Sequence, residues 1–215
     1  MIQIIPAILE KEFSAIAQKI RRVEKEAPDI GLVQIDIADG VFVPNITWSR
    51  AEDLAEFSSS LTYEIHLMTQ NPLRILDEWF ALSRLKRIII HKEACSRKDV
   101  SECAMRAHKA GKELAVALNP STPVSAIIDE LPQIDMVLLM GVDPGFAGQL
   151  FKEGVLSKIH ELRAKAPAIP ISVDGGINLE TAPRIILAGA THLCLGSYLW
   201  KQENIGKTIE ELQSL

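Results

Sequence analysis

The polar residues best placed for chemistry in this chain occur two apart inside otherwise apolar runs. In Val33-Gln34-Ile35-Asp36-Ile37, Gln34 and Asp36 fall on one face of an extended segment, and Val33, Ile35 and Ile37 fall on the other. Glu64 with His66, and Ser172 with Asp174, repeat the pattern. A carboxylate among apolar neighbours is costly unless it is paired, hydrogen-bonded or bound to metal. Each such pair is therefore either a satisfied buried polar residue or part of a site. Three of them converging on one rim favour the site, where carboxylates and an imidazole would do acid–base or metal-ligating work.

Glycines form a second constellation. Asp143-Pro144-Gly145-Phe146-Ala147-Gly148-Gln149, Asp174-Gly175-Gly176-Ile177-Asn178 and Gly196-Ser197 follow three successive β-like runs. Glycine lets backbone N–H groups approach an anion closely, and helix starts favour negative charge. Any one of these loops fits a plain tight turn. Three in succession predict a phosphate cradle.

The elements that must hold these residues are short β-branched runs alternating with helical spacing. Strands are expected near Gln3–Leu9, Leu32–Ile37, Thr62–His66, Arg87–Ile90, Glu113–Ala117, Met136–Leu139, Ile169–Val173 and His192–Leu195. Between them lie helix-spaced apolar residues such as Phe13, Ile16, Ala17, Ile20 and Val23, and helix starts at Asn71-Pro72, Thr122-Pro123 and Asn178-Leu179-Glu180. Eight strand–helix units in about 200 residues predict an α/β fold, a (β/α)8 TIM barrel spanning 1–215 as one domain. The competitor, an open doubly wound sheet, would place its glycine-rich turn after the first strand. That turn here is Pro6-Ala7-Ile8-Leu9-Glu10, and the glycines come late, where a barrel puts its phosphate site.

Hydrophobic residues at 47% suit a sizeable core, and a net charge of −5 gives no basic footprint for nucleic acid. No apolar stretch approaches the ~20 residues needed to cross a bilayer, so no membrane partner is expected. The start of the sequence lacks the pattern of a signal peptide, and Cys95, Cys103 and Cys194 follow no CxxC spacing; together these predict a cytoplasmic protein with free thiols. His91 reads as a structural or rim residue, and His108, His160 and His192 as structural or exposed. Trp48, Trp79 and Trp200 read as helix-borne packing residues, and Lys19-Ile20-Arg21-Arg22 as a solvated helix face.

Several stretches together resemble the ribulose-phosphate 3-epimerase family over nearly the whole chain. They are Pro6 to Leu9, Asp36 to Thr47, Ile65 to Met68, Ala117 to Pro123, Met140 to Gln149, Val173 to Asn178, and Gly196-Ser197. The resemblance implies interconversion of ribulose 5-phosphate and xylulose 5-phosphate, or of a related ketose phosphate, through an enediolate. It implies Asp36 and Asp174 as the acid–base pair, and one divalent metal ion (Zn, Fe, Mn, Co or Mg) on Asp36, His66 and Asp174. Gln34 stands where the family usually has the remaining histidine ligand. The substrate and its phosphate would meet His66, Gly145, Phe146, Ala147, Gly148, Gly175, Gly176, Ile177, Gly196 and Ser197.

Ala7 replaces a usual serine, Ala38 a methionine, and Ala147 a glycine of the phosphate loop. These departures, with Gln34, leave a second reading: a catalytically impaired phosphosugar-binding barrel with a degraded metal site. A decarboxylase or aldolase of sugar phosphates is a third. Family likeness also implies a homo-oligomer.

Overall fold

The computed structural model describes residues 2–215 and contains a closed parallel barrel. Its strands are Gln3–Ile8 (β1), Leu32–Ala38 (β2), Thr62–Met68 (β3), Leu85–His91 (β4), Glu113–Leu118 (β5), Met136–Met140 (β6), Ile171–Asp174 (β7) and His192–Leu195 (β8). They pair in sequence order, and β1 closes on β8 with Gln3 opposite His192. The fold class expected from the sequence is the one observed.

Helices Phe13–Glu26 (α1), Ala51–Glu56 (α2), Leu76–Phe80 (α3), Arg97–Lys109 (α4), Gly154–Lys165 (α5), Ala182–Ala188 (α6), Ser197–Trp200 (α7) and Ile205–Gln213 (α8) surround it. The expectation of one helix per unit fails between β5 and β6. There the chain makes only 3₁₀ turns, Val124–Ile127 and Leu131–Gln133. Thr122-Pro123 opens the first of these turns, with Pro123 in an extended conformation at its start, and Pro132 lies inside the second. Trp48 lies in the extended stretch before α2, not in a helix. It packs there on Phe13 and Trp79 and donates its indole N–H to Asp53 at 2.8 Å.

Alternation along the strands separates two layers. Val33, Ile35, Ile37, Ile65, Ile88, Ile90, Val137 and Val173 join the core between barrel and helices. Ile5, Ala7, Ile89, Ala115, Ala117, Leu138, Met140 and Cys194 fill the barrel itself. Lys19–Arg22 is not a plain solvated face. Ile20 is fully buried, and Arg22 donates to Glu26 and to the carbonyls of Gln202 (2.6 Å) and Glu203 (3.0 Å), which fastens α1 to the segment after α7. The three cysteines are buried and free. Among the described residues no helix is long and apolar enough to cross a membrane.

Inside the barrel, below its C-terminal mouth, lies a buried polar layer. Arg87 donates to Glu64 at 2.6 Å and to Glu113 at 2.5 Å, while Cys194 sits beside Glu64 and Ser172. Glu64 is wholly buried, and burial pushes its carboxyl up despite Arg87. Removing one partner of such a pair leaves an uncompensated charge in a low-dielectric interior. Arg87→Met is accordingly expected to destabilise the fold by about 3–5 kcal/mol. The double variant Glu64→Gln/Arg87→Met should recover a large part, as measured by urea unfolding.

Candidate active site

Strand register brings the site together. Asp36 lies opposite His66 on β2 and β3, and Met140 lies opposite Asp174 on β6 and β7. β8 and β1 lie between β7 and β2, yet the barrel's curvature turns both aspartates inward to one point. The ligand atoms of Asp36, His66 and Asp174 all fall within 4.8 Å of one another. Thr47 fixes the end of β2 by donating to the Asp36 carbonyl (2.9 Å) and accepting the Ala38 N–H (2.8 Å). Trp200 pins the end of β1 through its indole N–H to the Ala7 carbonyl at 2.7 Å.

Gln34 lies fully buried one step below. Its amide Nε2 donates to Asp36 Oδ1 at 2.8 Å and to Asp174 Oδ2 at 2.6 Å, bridging the two carboxylates. His66 Nδ1 stands 3.0 Å from the same Asp36 oxygen and 3.6 Å from the same Asp174 oxygen. Each carboxylate thus has one oxygen anchored. Among the described residues the other oxygens, Asp36 Oδ2 and Asp174 Oδ1, make no hydrogen bond within the protein, and both residues line the cavity above.

The electrostatics follow from this crowding. Burial, then the charge of Asp36, push the Asp174 carboxyl up to about 7, against the lowering effect of His66 and Gln34. Burial by itself would lower His66, but its hydrogen bond to Asp36 and the charges of Asp36 and Asp174 outweigh it and raise the imidazole. His91, expected at the rim or in a structural role, is fully buried directly behind the site, with Nε2 2.8 Å from His66 Nε2. Burial holds it down to about 4. Burial pushes Glu93 up, but hydrogen bonds from His91, Thr122 and Asn119 prevail and hold it at about 2.

A cavity of about 750 Å³ opens over the aspartates. Gly145, Phe146, Ala147, Gly148, Gly175, Gly176, Ile177, Gly196 and Ser197 line it together with Asp36, His66 and Asp174. Every site residue expected from the sequence therefore borders one cavity except Gln34, which lies beneath it. Gly175 and Gly176 have φ of +99° and +71°, and a Cβ at Gly176 would lie 2.7 Å from the Phe151 Cα, so this close turn requires glycine. Ala147 is no defect, since no non-glycine residue among those described has positive φ. Its methyl imposes no strain there.

Sequence reasoning missed some of the lining. Met68 and Met140 end strands, and apolar type by itself gives no sign of a mouth position. Lys19 also borders the cavity, bonded to Glu10 at 2.6 Å with its ammonium over the Trp200 ring at 4.9 Å. A lysine on an amphipathic helix carries no signal that it faces a mouth. Glu64 and Ser172, grouped by alternation with His66 and Asp174, stay one layer down in the polar interior.

The donor set fits a divalent cation. An imidazole nitrogen and two carboxylate oxygens converge, and Gln34 Oε1 is buried without a partner among the described residues. Turning the Gln34 amide over would bring that oxygen to the same point as a fourth, hard donor.

Fold and site together define a class: a parallel (β/α)8 barrel with paired strand-end carboxylates beneath a glycine-lined mouth. The chain belongs to the ribulose-phosphate 3-epimerase family, whose model matches residues 3–200. It is 37% identical to the ribulose-phosphate 3-epimerase of Bacillus subtilis, over 99% of both chains. It is 34% identical to that of Methanocaldococcus jannaschii, over 99% of this chain and 90% of the relative. The 3-hexulose-6-phosphate synthase of Salmonella typhimurium shares the fold at a TM-score of 0.70 and 14% identity, covering 99% of this chain and 97% of that one.

Metal-free protein should show the cost of holding two carboxylates together. Asp174 titrates near 3.8 when unperturbed and near 7 in the fold, so the folded state binds the extra proton between those values. Stability is then complete below the lower value and falls as pH rises toward the upper, by at most ~1.4 kcal/mol per unit. Thermal melts in chelator should record that slope, and Asp174→Asn should flatten it.

Proposed function

We propose that this chain is a ketose-phosphate 3-epimerase that interconverts ribulose 5-phosphate and xylulose 5-phosphate with Asp36 and Asp174 as its acid–base pair. The observation that carries the reading is the paired carboxylates, each with one anchored and one free oxygen, beneath a cavity bordered by three glycine loops. One aspartate, ionised, removes the C3 proton. The C3–H electron pair becomes the C2–C3 double bond, and the carbonyl electrons move onto the C2 oxygen. The second aspartate, protonated, returns a proton to C3 from the other face, and the pair exchanges roles in the reverse direction.

The raised Asp174 carboxyl favours a pair that carries one proton between its members near neutral pH. Gln34 and His66 hold the inner oxygens, so the outer ones are the atoms that exchange protons with substrate. The loops at Gly145–Gly148, Gly175–Ile177 and Gly196–Ser197 would hold the phosphate through backbone N–H groups. Asp36, His66 and Asp174, with Gln34 Oε1, would hold a divalent metal of the zinc, iron, manganese, cobalt or magnesium type. Bound there, it supplies positive charge beside the developing oxyanion. Gln34 keeps both carboxylates hydrogen-bonded, so its presence gives no reason to read the barrel as catalytically impaired.

Residues 1–215 act on this reading as one barrel domain, in a cytoplasmic setting suited to the three free thiols. Assembly into a homo-oligomer is proposed from family likeness, supported by the exposed apolar side chains Val41, Ile46 and Leu150 on loops around the mouth.

Incubation with ribulose 5-phosphate in D2O should place deuterium at C3 and yield xylulose 5-phosphate. Asp36→Asn and Asp174→Asn should each lower kcat by about 10²–10⁴-fold. Metal-loaded wild-type protein that leaves C3 unlabelled across ketose phosphates would overturn the reading.

A further inference from the structure

Behind His66 runs a chain of ring nitrogens that the proton transfer itself does not use. His66 Nε2 lies 2.8 Å from His91 Nε2, and His91 Nδ1 lies 3.3 Å from Glu93 Oε2. Glu93 Oε1 accepts the Asn119 N–H at 2.8 Å. The two imidazoles are near-parallel, 20° apart with centroids at 5.0 Å, and Phe42 covers the outer ring at 4.8 Å. Both histidines are fully buried, so no water can rearrange around them freely.

A contact of 2.8 Å between two ring nitrogens holds one proton, and that proton has two places to be. If it sat on His91 Nε2, a neutral His91 would turn a bare Nδ1 toward Glu93 Oε2, two acceptors facing each other with nothing between. If it sits on His66 Nε2, both links from His66 to Glu93 are satisfied. His66 donates to His91 Nε2, and His91 donates from Nδ1 to Glu93. A carboxylate already accepting a backbone N–H can only accept again, so Glu93 selects the second arrangement.

That arrangement has a consequence at the far end of the chain. In the metal-free protein Nδ1 keeps a proton and turns it toward Asp36 Oδ1 at 3.0 Å. With the other proton committed to Nε2, loss of this one leaves a neutral His66 whose Nδ1 lone pair faces Asp36 Oδ1 and Asp174 Oδ2, at 3.0 and 3.6 Å. Three acceptors then face one point, which is what a divalent cation requires. Gln34 serves the two carboxylates but gives nothing to Nδ1.

We propose that His91 and Glu93 are positioning residues that fix His66 in the Nε2–H tautomer and so present Nδ1 as a metal ligand. The inference rests on the metal-assisted reading above. The chain compensates for Gln34: where one donor is a weak amide oxygen, an imidazole made more basic by a carboxylate two rings away strengthens the remaining set.

The test is cobalt or manganese affinity of the full chain, by titration against a competing chelator, with thermal melts of the metal-free proteins as a fold control. His91→Phe keeps a ring against His66 and Phe42 but accepts no proton, and should bind metal about 10–100-fold more weakly. Glu93→Gln should weaken binding in the same direction, and His91→Gln, whose carbonyl can accept from His66, should recover part of the loss. In ¹⁵N spectra of the zinc-loaded wild type, His66 should carry its proton on Nε2 and His91 on Nδ1. Variants that fold and bind metal as tightly as wild type, or a His91 protonated on Nε2, overturn this inference and leave the metal reading standing. Wild-type protein that takes up no divalent metal overturns both.

Discussion

Two carboxylates held within a few ångströms of each other, out of bulk water, repel. The rest of the site is arranged around that constraint. Asp36 and Asp174 are each about nine-tenths buried, and their inner oxygens point at a common spot. Left alone, such a pair would open the mouth or take up a proton. The protein answers with a neutral donor from below, Gln34, and an imidazole from the side, His66. Behind them the buried Glu64–Arg87 pair, extended to the partly exposed Glu113, links β3, β4 and β5. The repulsion adds to burial in raising the Asp174 carboxyl, beside a second carboxylate that borders the same cavity.

Gln34 shows how one side chain can hold an arrangement of charges and still leave it open to change. Its Nε2 group does part of the work a cation would do, satisfying both inner oxygens without adding charge. Its Oε1, buried and unpartnered, is a liability in this orientation and would be a ligand to a bound cation in the other. The same amide would therefore suit both a metal-free and a metal-bound state. Histidine in its place would serve the second state better and the first less well.

The glycine-lined side of the mouth depends on backbone more than on side chains. Gly175 and Gly176 take conformations open to glycine, and Gly176 lies so close to Phe151 that a methyl would not fit. Asn45 ties the loop after β2 to the loop after β6 by donating to the Gly145 carbonyl at 2.8 Å. The acidic net charge of the chain is no obstacle to an anionic substrate, because backbone N–H groups here would act at close range while the surface charge is screened.

The sequence by itself determined the barrel, the alternation of its strands with helical segments, and the strand-end carboxylates that meet at its mouth. These are encoded locally: β-branched runs set the strands, alternation sets which side chain faces inward, and glycine marks loops that need its freedom. Alternation could not say how far along the barrel axis a residue lies. It grouped Glu64 with His66 and Ser172 with Asp174, and only the register of β3 against β4 put Glu64 beside Arg87 in a structural layer. The 3₁₀ connection after β5, the cavity-facing Lys19 and the His91–His66 contact were likewise decided by tertiary structure. His91 follows His66 by twenty-five residues, and no spacing rule links them. They meet because β3 and β4 are neighbours in a closed barrel whose curvature turns both strand ends inward. Distance along the chain encodes an element, but the closing of the barrel decides which side chains share a proton.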